Sequence, residues 1–303
     1  MERKEIVFIG LGRMGLAMTT HLVEQGYTVH GFDVSEAGRK TAAEAGVTTY
    51  ESVVAAIAGM ESAPKTVWLM VPARYVDDVI EDIVPQLQAG DTIIDGGNSF
   101  FKDTIRRHGE LMDQEIHYLD CGTSGGVEGA RNGASLMVGG ERDAVVPLEH
   151  IFTTLAAPDA YGHVGGSGAG HFVKMVHNGI EYGMMGAIAE GMNVLHEHKD
   201  GLEVDVCEAL KPYEHGSIIE SHLMTWLSEA YHTPGMLSSI AGKVPKGETE
   251  IEMEYLVEHE QVKVLAAALE QRKDTRYHPS LIGTLISAMR NKFGGHQTIK
   301  KGE

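Results

Sequence analysis

Cysteine, positive charge and long apolar runs are all scarce in this chain, and each shortage closes off a class of explanation. Only Cys121 and Cys207 occur in 303 residues. A disulfide framework is therefore not indicated, and a reducing cytoplasm is the expected compartment. No run approaches the roughly 18–20 apolar residues of a membrane span. No signal peptide is visible, because Met1 to Gly10 leads directly into a strand-like run. Lys and Arg number 25 against 43 Asp and Glu, a formal net charge of −18. That balance argues against nucleic acid or an anionic membrane as partner. An anionic substrate would need cations that are local and clustered. The sixteen histidines include no His-Glu-x-x-His pair, and His196 and His198 would point in different directions on a helix. No catalytic metal is expected.

What remains is an ordinary globular composition, 43% hydrophobic and 22% charged, with length enough for two cores. Glu5-Ile-Val-Phe-Ile-Gly10 suits a buried parallel strand. Gly10, Leu11, Gly12, Arg13, Met14 and Gly15 follow as G-x-G-x-x-G. A helical pattern then runs to Gly26, and a second strand, Tyr27–Phe32, ends on Asp33. Such glycines permit a tight turn and let the backbone approach a pyrophosphate at a helix N-terminus. Asp33 is placed to accept hydrogen bonds from ribose hydroxyls and to repel a 2′-phosphate, which favours NAD over NADP. Arg39 and Lys40 lie a helical turn or more further on and work weakly the other way.

The α/β alternation continues. Lys65–Val71 and Asp91–Asp95 read as strands that end at the loops Pro72-Ala-Arg74 and Gly96-Gly-Asn-Ser99. Residues 75–88 and 101–113 read as helices, and 117–121 and 135–139 as strands. Ligands of open parallel sheets bind beyond the strand C-termini. Val71, Pro72 and Asn98 are therefore expected at the cofactor. Asn98 and Ser124-Gly125-Gly126 are expected where a substrate meets it, with the glycine N–H groups able to cradle a carboxylate. A flexible loop is the plainer reading of Ser124–Gly126. The fold class implied is a Rossmann-type doubly wound α/β sheet over residues 1–164, followed by an all-α domain over 165–303. The glycine-rich stretch 162–170 marks the boundary.

The next stretch carries the chemistry. Lys174, His177, Asn178 and Glu181 fall at offsets 0, 3, 4 and 7, one face of a helix otherwise made of Phe172, Val173, Met175, Val176 and Ile180. Buried Lys and Glu are rare unless paired or used. The stripe is either a salt-bridged structural seam or a general base and a general acid facing one pocket. Gly179, Gly183, Gly186 and Gly191 weaken the helix by roughly 1 kcal/mol each relative to Ala, which suggests close approach of another backbone or a ligand. Helical periodicity then returns near 203–213, 217–231, 250–272 and 279–292. Arg272, Lys273 and Arg276, then Arg290 to His296, form a cationic end in an acidic chain. They are either a solvated face or an anion site.

Taken together, these residues resemble the decarboxylating 6-phosphogluconate dehydrogenases, in their short, NAD-preferring form, within the β-hydroxyacid dehydrogenase superfamily. The resemblance runs nearly end to end. It rests on Gly10–Gly15, Asp95-Gly-Gly-Asn-Ser99, Gly122–Arg131, Lys174-Met-Val-His-Asn-Gly-Ile-Glu-Tyr182 and Arg290-Asn-Lys-Phe-Gly-Gly-His296. It implies that Lys174 is the base that removes the C3 hydroxyl proton, and that Glu181 is the acid that protonates C1 of the enediol left after CO2 loss. Asn98, Ser124, Gly125, Gly126, His177 and Asn178 would hold the carboxylate and hydroxyls, and Tyr182 and Arg272 the phosphate. Arg290 and His296 match tail residues that reach a partner subunit's site, which implies a homodimer or homotetramer. The implied role is oxidative decarboxylation of 6-phosphogluconate in the pentose phosphate pathway. One departure stands out. The family's Gly-Lys/Arg-Trp segment is absent, and residues 242–251 read Gly-Lys-Val-Pro-Lys-Gly-Glu-Thr-Glu-Ile, with Lys243 or Lys246 as substitutes. The alternative is therefore a dehydrogenase of another β-hydroxy or sugar acid, with or without a phosphate.

Overall fold

In the computed structural model of the protein, residues 4–198 and 202–302 are described. The chain divides into two compact units, Met1–Lys174 and Met175–Glu303.

The first unit alternates strand and helix. Its elements are β1 (Glu5–Ile9), α1 (Arg13–Glu24), β2 (Thr28–Phe32), α2 (Glu36–Glu44), β3 (Thr48–Thr49), α3 (Val53–Gly59), β4 (Thr66–Leu69), α4 (Val76–Ile83), β5 (Thr92–Asp95), α5 (Phe101–Met112), β6 (His117–Ser124), α6 (Gly126–Asn132), β7 (Ala134–Gly139), α7 (Arg142–Val145), α8 (Glu149–Leu155) and β8 (Ala156–Gly165). The strands form one sheet in the order β3-β2-β1-β4-β5-β6-β7-β8. All neighbours are parallel except β6 and β7. The order reverses between β1 and β4, the point at which ligands meet such sheets.

Alternate residues of each strand enter different cores. Ile6 and Phe8 of β1 join Trp68, Ile94 and Leu119 in a cluster closed by Met18 and Leu22 of α1 and by Phe152 of α8. Val7 and Ile9 join Val67, Leu69 and Ile93 in a second cluster, closed by Ile57 of α3, Ile83 of α4 and Leu111 of α5. Helices cover both faces, so the strands read as unbroken apolar runs rather than alternations. The expected architecture is present, with one antiparallel strand pair that the sequence pattern did not announce.

Two elements differ from expectation. Residues 162–165, taken as part of a boundary loop, are the end of β8. That strand lies at the sheet edge and carries Pro158, Asp159 and two glycines, which hides it from a pattern search. The helical stretch predicted over 250–272 is two helices, broken at Glu260–Val262 with no Gly or Pro there. The first of the two ends where the His259 ring donates to Tyr255 O at 2.9 Å.

A long helix, α9 (Ala169–Glu197), begins in the first unit and ends in the second. The second unit adds α10 (Val206–Glu214), α11 (His222–His232), α12 (Met236–Ser239), α13 (Glu248–His259), α14 (Lys263–Asp274) and α15 (Leu281–Gly294). Met185, Met192, Leu210, Leu227, Met253, Leu285 and Met289 are its core. The start of α15 shows local sequence acting directly. Ser280 accepts a hydrogen bond from Gly283 N at 3.3 Å, as an N-cap should. The helix stops at Gly295, φ +58°, as a left-handed cap requires. The glycines of α9 have mixed roles. A Cβ on Gly179 would come within 2.6 Å of Leu265, and one on Gly186 within 2.8 Å of Gln271. Both neighbours are side chains of α14 rather than backbone. Gly191 meets nothing within 4 Å.

Candidate active site

The three glycines of the β1–α1 turn do three different things. Gly10 has φ +96°, and a Cβ there would lie 2.3 Å from Met70 O. A Cβ on Gly15 would lie 1.9 Å from Gly10 O, so the helix can rest on the turn only if residue 15 has no side chain. Gly12 is the N-cap of α1, has no side-chain cap, and meets nothing within 4 Å. The helix N-terminus thus has no side-chain cap, with room for a pyrophosphate against its first turn. Leu11 is buried, while Arg13 is exposed and Met14 half-buried.

Asp33 fixes this loop to the next one. Its Oδ2 accepts from Leu11 N at 2.7 Å and its Oδ1 from Ser35 N at 2.8 Å. Each oxygen keeps lone-pair capacity for a ribose hydroxyl. Val71 leaves β4 between the two neighbouring turns. Its Cγ1 would be 3.0 Å from a Cβ on Gly10, and its carbonyl 2.9 Å from one on Gly97. Pro72 follows, exposed, and Asn98 is half-buried one residue beyond Gly97.

The β5 loop that carries Asn98 is held by Asp95, which is fully buried. Asp95 accepts from Ser99 Oγ at 2.6 Å, Tyr118 OH at 2.9 Å and Gly97 N at 3.1 Å, and Arg107 Nη1 lies 3.6 Å away. Burial, followed by the Asp95 charge, raises the pKa of Tyr118 well above the ordinary tyrosine range. Tyr118 therefore acts as a donor. Arg107 is also held by Asp77, whose carboxyl is lowered to about 2, first by the hydrogen bond from Arg107.

Strand β6 positions Lys174. Asp120 and Gly122, two residues apart, face the same way. Asp120 accepts from Gly168 N and His171 N, both at 2.8 Å, and so caps α9. Its own pKa is raised by burial, against the pull of His171 and those two N–H groups. Gly122 lets the helix come close, since a Cβ there would lie 2.5 Å from Lys174 Cβ. Gly170 does the same one turn earlier, 2.3 Å from Met137 O by the same measure. Lys174 is half-buried. At the exit of β6, Ser124 leads into Gly125 (φ +114°) and Gly126 (φ +63°), a turn open only to glycine.

The remaining site residues lie in the second unit. His177 Nδ1 is 3.8 Å from Glu181 Oε2, one helical turn along α9. Asn178 is buried and donates from Nδ2 to Glu252 Oε2 at 2.8 Å. Tyr182 carries a cluster of cations. Arg272 lies over its ring at 4.5 Å and Arg290 at 5.9 Å. Thr249 Oγ1 donates to the Tyr182 hydroxyl at 3.2 Å. Arg272 is 1% exposed and donates to Thr249 Oγ1 and Pro245 O, with its Nε 3.4 Å from Glu250 Oε2. Arg276 makes two 2.9 Å hydrogen bonds to Glu250, which is also 1% exposed. Burial pushes the Arg272 pKa down and the Arg290 charge adds to this, while Tyr182 and Glu250 oppose it. Two guanidinium groups thus share one buried carboxylate, while Arg290 donates from Nη1 to Pro245 O at 3.4 Å and its buried Nε has no hydrogen-bond partner among the described residues. His296 is exposed past the end of α15, edge-on to Phe293. The stretch that replaces the absent cationic segment lies in this cluster. It supplies Pro245 O, Thr249 and Glu250, while Lys246 is exposed.

Comparison with known proteins decides the family. Residues 5–166 match the NAD binding domain of 6-phosphogluconate dehydrogenase, and residues 170–225 match that enzyme's C-terminal domain. The chain is 38% identical over 302 residues to YqeC of Bacillus subtilis, covering 98% of this chain and 100% of that one. The chain belongs to the 6-phosphogluconate dehydrogenase family. It is also 37% identical over 300 residues to the NAD(+)-dependent, decarboxylating 6-phosphogluconate dehydrogenase of Haloferax volcanii, covering 97% and 98% of the two chains. Among solved structures, 6-phosphogluconate dehydrogenase of Plasmodium falciparum superposes with a TM-score of 0.82 at 27% identity, covering 99% of this chain and 67% of that one. A 3-hydroxyisobutyrate dehydrogenase of Mycobacterium tuberculosis gives 0.72 at 21% identity, over 95% and 99%, a likeness of fold alone.

For a dehydrogenase of this family, sequence reasoning missed a supporting layer. Asp95, Tyr118, Arg107 and Asp120 do not lie within one motif, and only their burial and shared hydrogen bonds mark them. A signal existed for two of them: Asp95 and Asp120 are acids at the ends of apolar strand runs, where an unpaired charge would be costly. Glu250, within the 242–251 segment, and Glu252, just past it, were missed as well.

Proposed function

We propose that the protein oxidises 6-phosphogluconate with NAD and releases CO2, giving ribulose 5-phosphate. The observation that carries this reading is the placement of Lys174 and Glu181 seven residues apart on the continuous helix α9. That offset puts both groups on one face, about 10 Å apart along the axis.

Lys174 is the base for the C3 hydroxyl proton, held in place by the close approach of α9 to Gly122. Its position against β6 fits the task of general base catalysis, in which geometry comes before pKa. The nicotinamide of a dinucleotide whose pyrophosphate rests on the β1–α1 turn would supply the hydride acceptor. The ketone formed at C3 is β to the carboxylate and provides the electron sink for CO2 loss, so the protein needs to supply position and protons. Glu181, with His177 beside it, delivers the proton to C1 of the enediol. Asn98, Ser124, Gly125, Gly126 and Asn178 hold the carboxylate and hydroxyls. Tyr182 and Arg272 meet the phosphate, aided by the positive excess of the cluster; Arg290, which the resemblance sent to a partner's site, lies over the Tyr182 ring of its own chain. Asp33 favours NAD.

A second reading is favoured by Glu250. It already neutralises part of the cluster and would compete with a phosphate, which suits an unphosphorylated sugar acid. The deciding experiment is a steady-state assay of 6-phosphogluconate and gluconate with each dinucleotide, with CO2 measured. Turnover of 6-phosphogluconate with NADH and CO2 formed in equal amounts supports the first reading. Turnover of gluconate alone supports the second, and no turnover of either sinks both.

Self-association is part of the same proposal. Ile180, Met184, Ala187, Gly191 and Val194 are exposed along α9 at spacings of four and three, the seam of a helix–helix contact. A second copy of this chain would cover it. Sedimentation as a monomer at micromolar concentration would end this part of the reading.

A further inference from the structure

The β2–α2 turn contains a cation that is held out of play. Arg39 stands on α2, six residues past Asp33. Its Nη1 donates to Asp33 O at 2.8 Å and points at Val34 O, 3.5 Å away. Its Nη2 donates to Glu51 Oε2 at 2.8 Å. The Arg39 side chain is only 13% exposed, whereas that of Glu51 is 89% exposed. The guanidinium therefore lies against the turn whose acid is placed for the adenosine ribose. It is held by two carbonyls of that turn and, from the solvent side, by one carboxylate.

In a sheet of this kind, an arginine near the end of β2 is the group that accommodates a 2′-phosphate. Arg39 is near enough to do so but is committed elsewhere. We propose that Glu51 is a specificity-determining residue. It latches Arg39 to the exit of β3 and, together with Asp33, leaves the ribose position with a net negative charge. Glu51 touches neither substrate nor cofactor and acts only through Arg39. Its effect is to keep the dinucleotide site selective against a 2′-phosphate. The inference rests on the NAD reading above and adds to it a second carboxylate, distant in sequence.

The test measures binding rather than turnover, so it does not depend on the sugar acid. NADH and NADPH are titrated by fluorescence into the wild type, Glu51→Gln, Arg39→Met and the double variant. Glu51 is too exposed for the Gln variant to unfold the chain. The ratio of NADPH to NADH affinity should rise about three- to tenfold in Glu51→Gln, the scale of one exposed ion pair plus one removed like charge. The double variant should lose that gain, because no guanidinium remains to be released. An unchanged ratio in Glu51→Gln, or a gain that survives the loss of Arg39, overturns the latch. If the wild type binds neither dinucleotide, the NAD reading falls and the latch with it. Tight NADH binding with an unmoved ratio removes the latch alone.

Discussion

The two places in this molecule that we propose for phosphate groups are made in opposite ways. The β1–α1 turn offers a helix N-terminus without a side-chain cap and open space above Gly12. The Tyr182 cluster offers three guanidiniums already engaged with a carboxylate, a carbonyl and a hydroxyl. The first is an emptiness maintained by glycine, and the second is a charge balance maintained by burial. Steric failures should therefore destroy the first and electrostatic ones the second.

The largest expected effect lies outside both and tests whether either matters to catalysis. Lys174→Met should lower kcat by about 10³-fold or more while NADH affinity stays nearly intact. Appreciable residual turnover counts against the base. Glu181→Gln should slow turnover by about 10²-fold without altering the thermal midpoint. A variant that simply melts would make Glu181 structural.

At the turn, the comparison sharpens to two glycines three residues apart. Gly15→Val should destabilise the protein by about 3 kcal/mol or more, seen by denaturant unfolding, because Gly10 O occupies the space of its Cβ. Gly12→Val should leave the unfolding midpoint almost unmoved and weaken NADH at least about tenfold, since its Cβ meets only room meant for ligand. Equal destabilisation by both would break the distinction.

At the cluster, Glu250→Gln should cost about 3 kcal/mol, the scale of a buried charge left without its partner. Millimolar inorganic phosphate should restore much of the lost thermal stability. A variant as stable as the parent, or one indifferent to phosphate, would mean that the cluster is not an anion site.

The smallest effect is a control in the first unit. Asp77, partly exposed, is lowered to about 2 by its hydrogen bond from Arg107 and, less strongly, by Arg106. A depressed carboxyl contributes stability that is complete above its unfolded pKa near 4 and is lost as pH falls toward 2. The gap in thermal midpoint between the parent and Asp77→Asn should therefore close over that window. A gap that persists at pH 2 would show that the contact is not electrostatic.

The N-terminal architecture was legible because its rules are local. Apolar strand runs, three glycines at fixed offsets and an acid after β2 specify a βαβ unit within about 30 residues. β8 escaped because an edge strand with Pro158 and Asp159 has no apolar pattern to show. The break at 260–262 escaped because no Gly or Pro marks it. Asp95 and Asp120 escaped for a different reason. Each is one residue in a strand, and its meaning comes from Tyr118, Arg107, Gly168 or His171, none of them a near neighbour in sequence.

The sequence by itself determined that the chain folds as a dinucleotide-binding sheet followed by helices, and that Lys174, His177, Asn178 and Glu181 share one face of one helix, because both depend on short-range periodicity. Tertiary structure alone decided where the charges balance. Tyr182, Pro245, Glu250, Arg272 and Arg290 meet only after the second unit packs. Arg39 meets the Glu51 carboxylate, twelve residues away in sequence, only through the packing of this unit. Coulomb interactions depend on distance in space and on burial, and neither can be read from position along the chain.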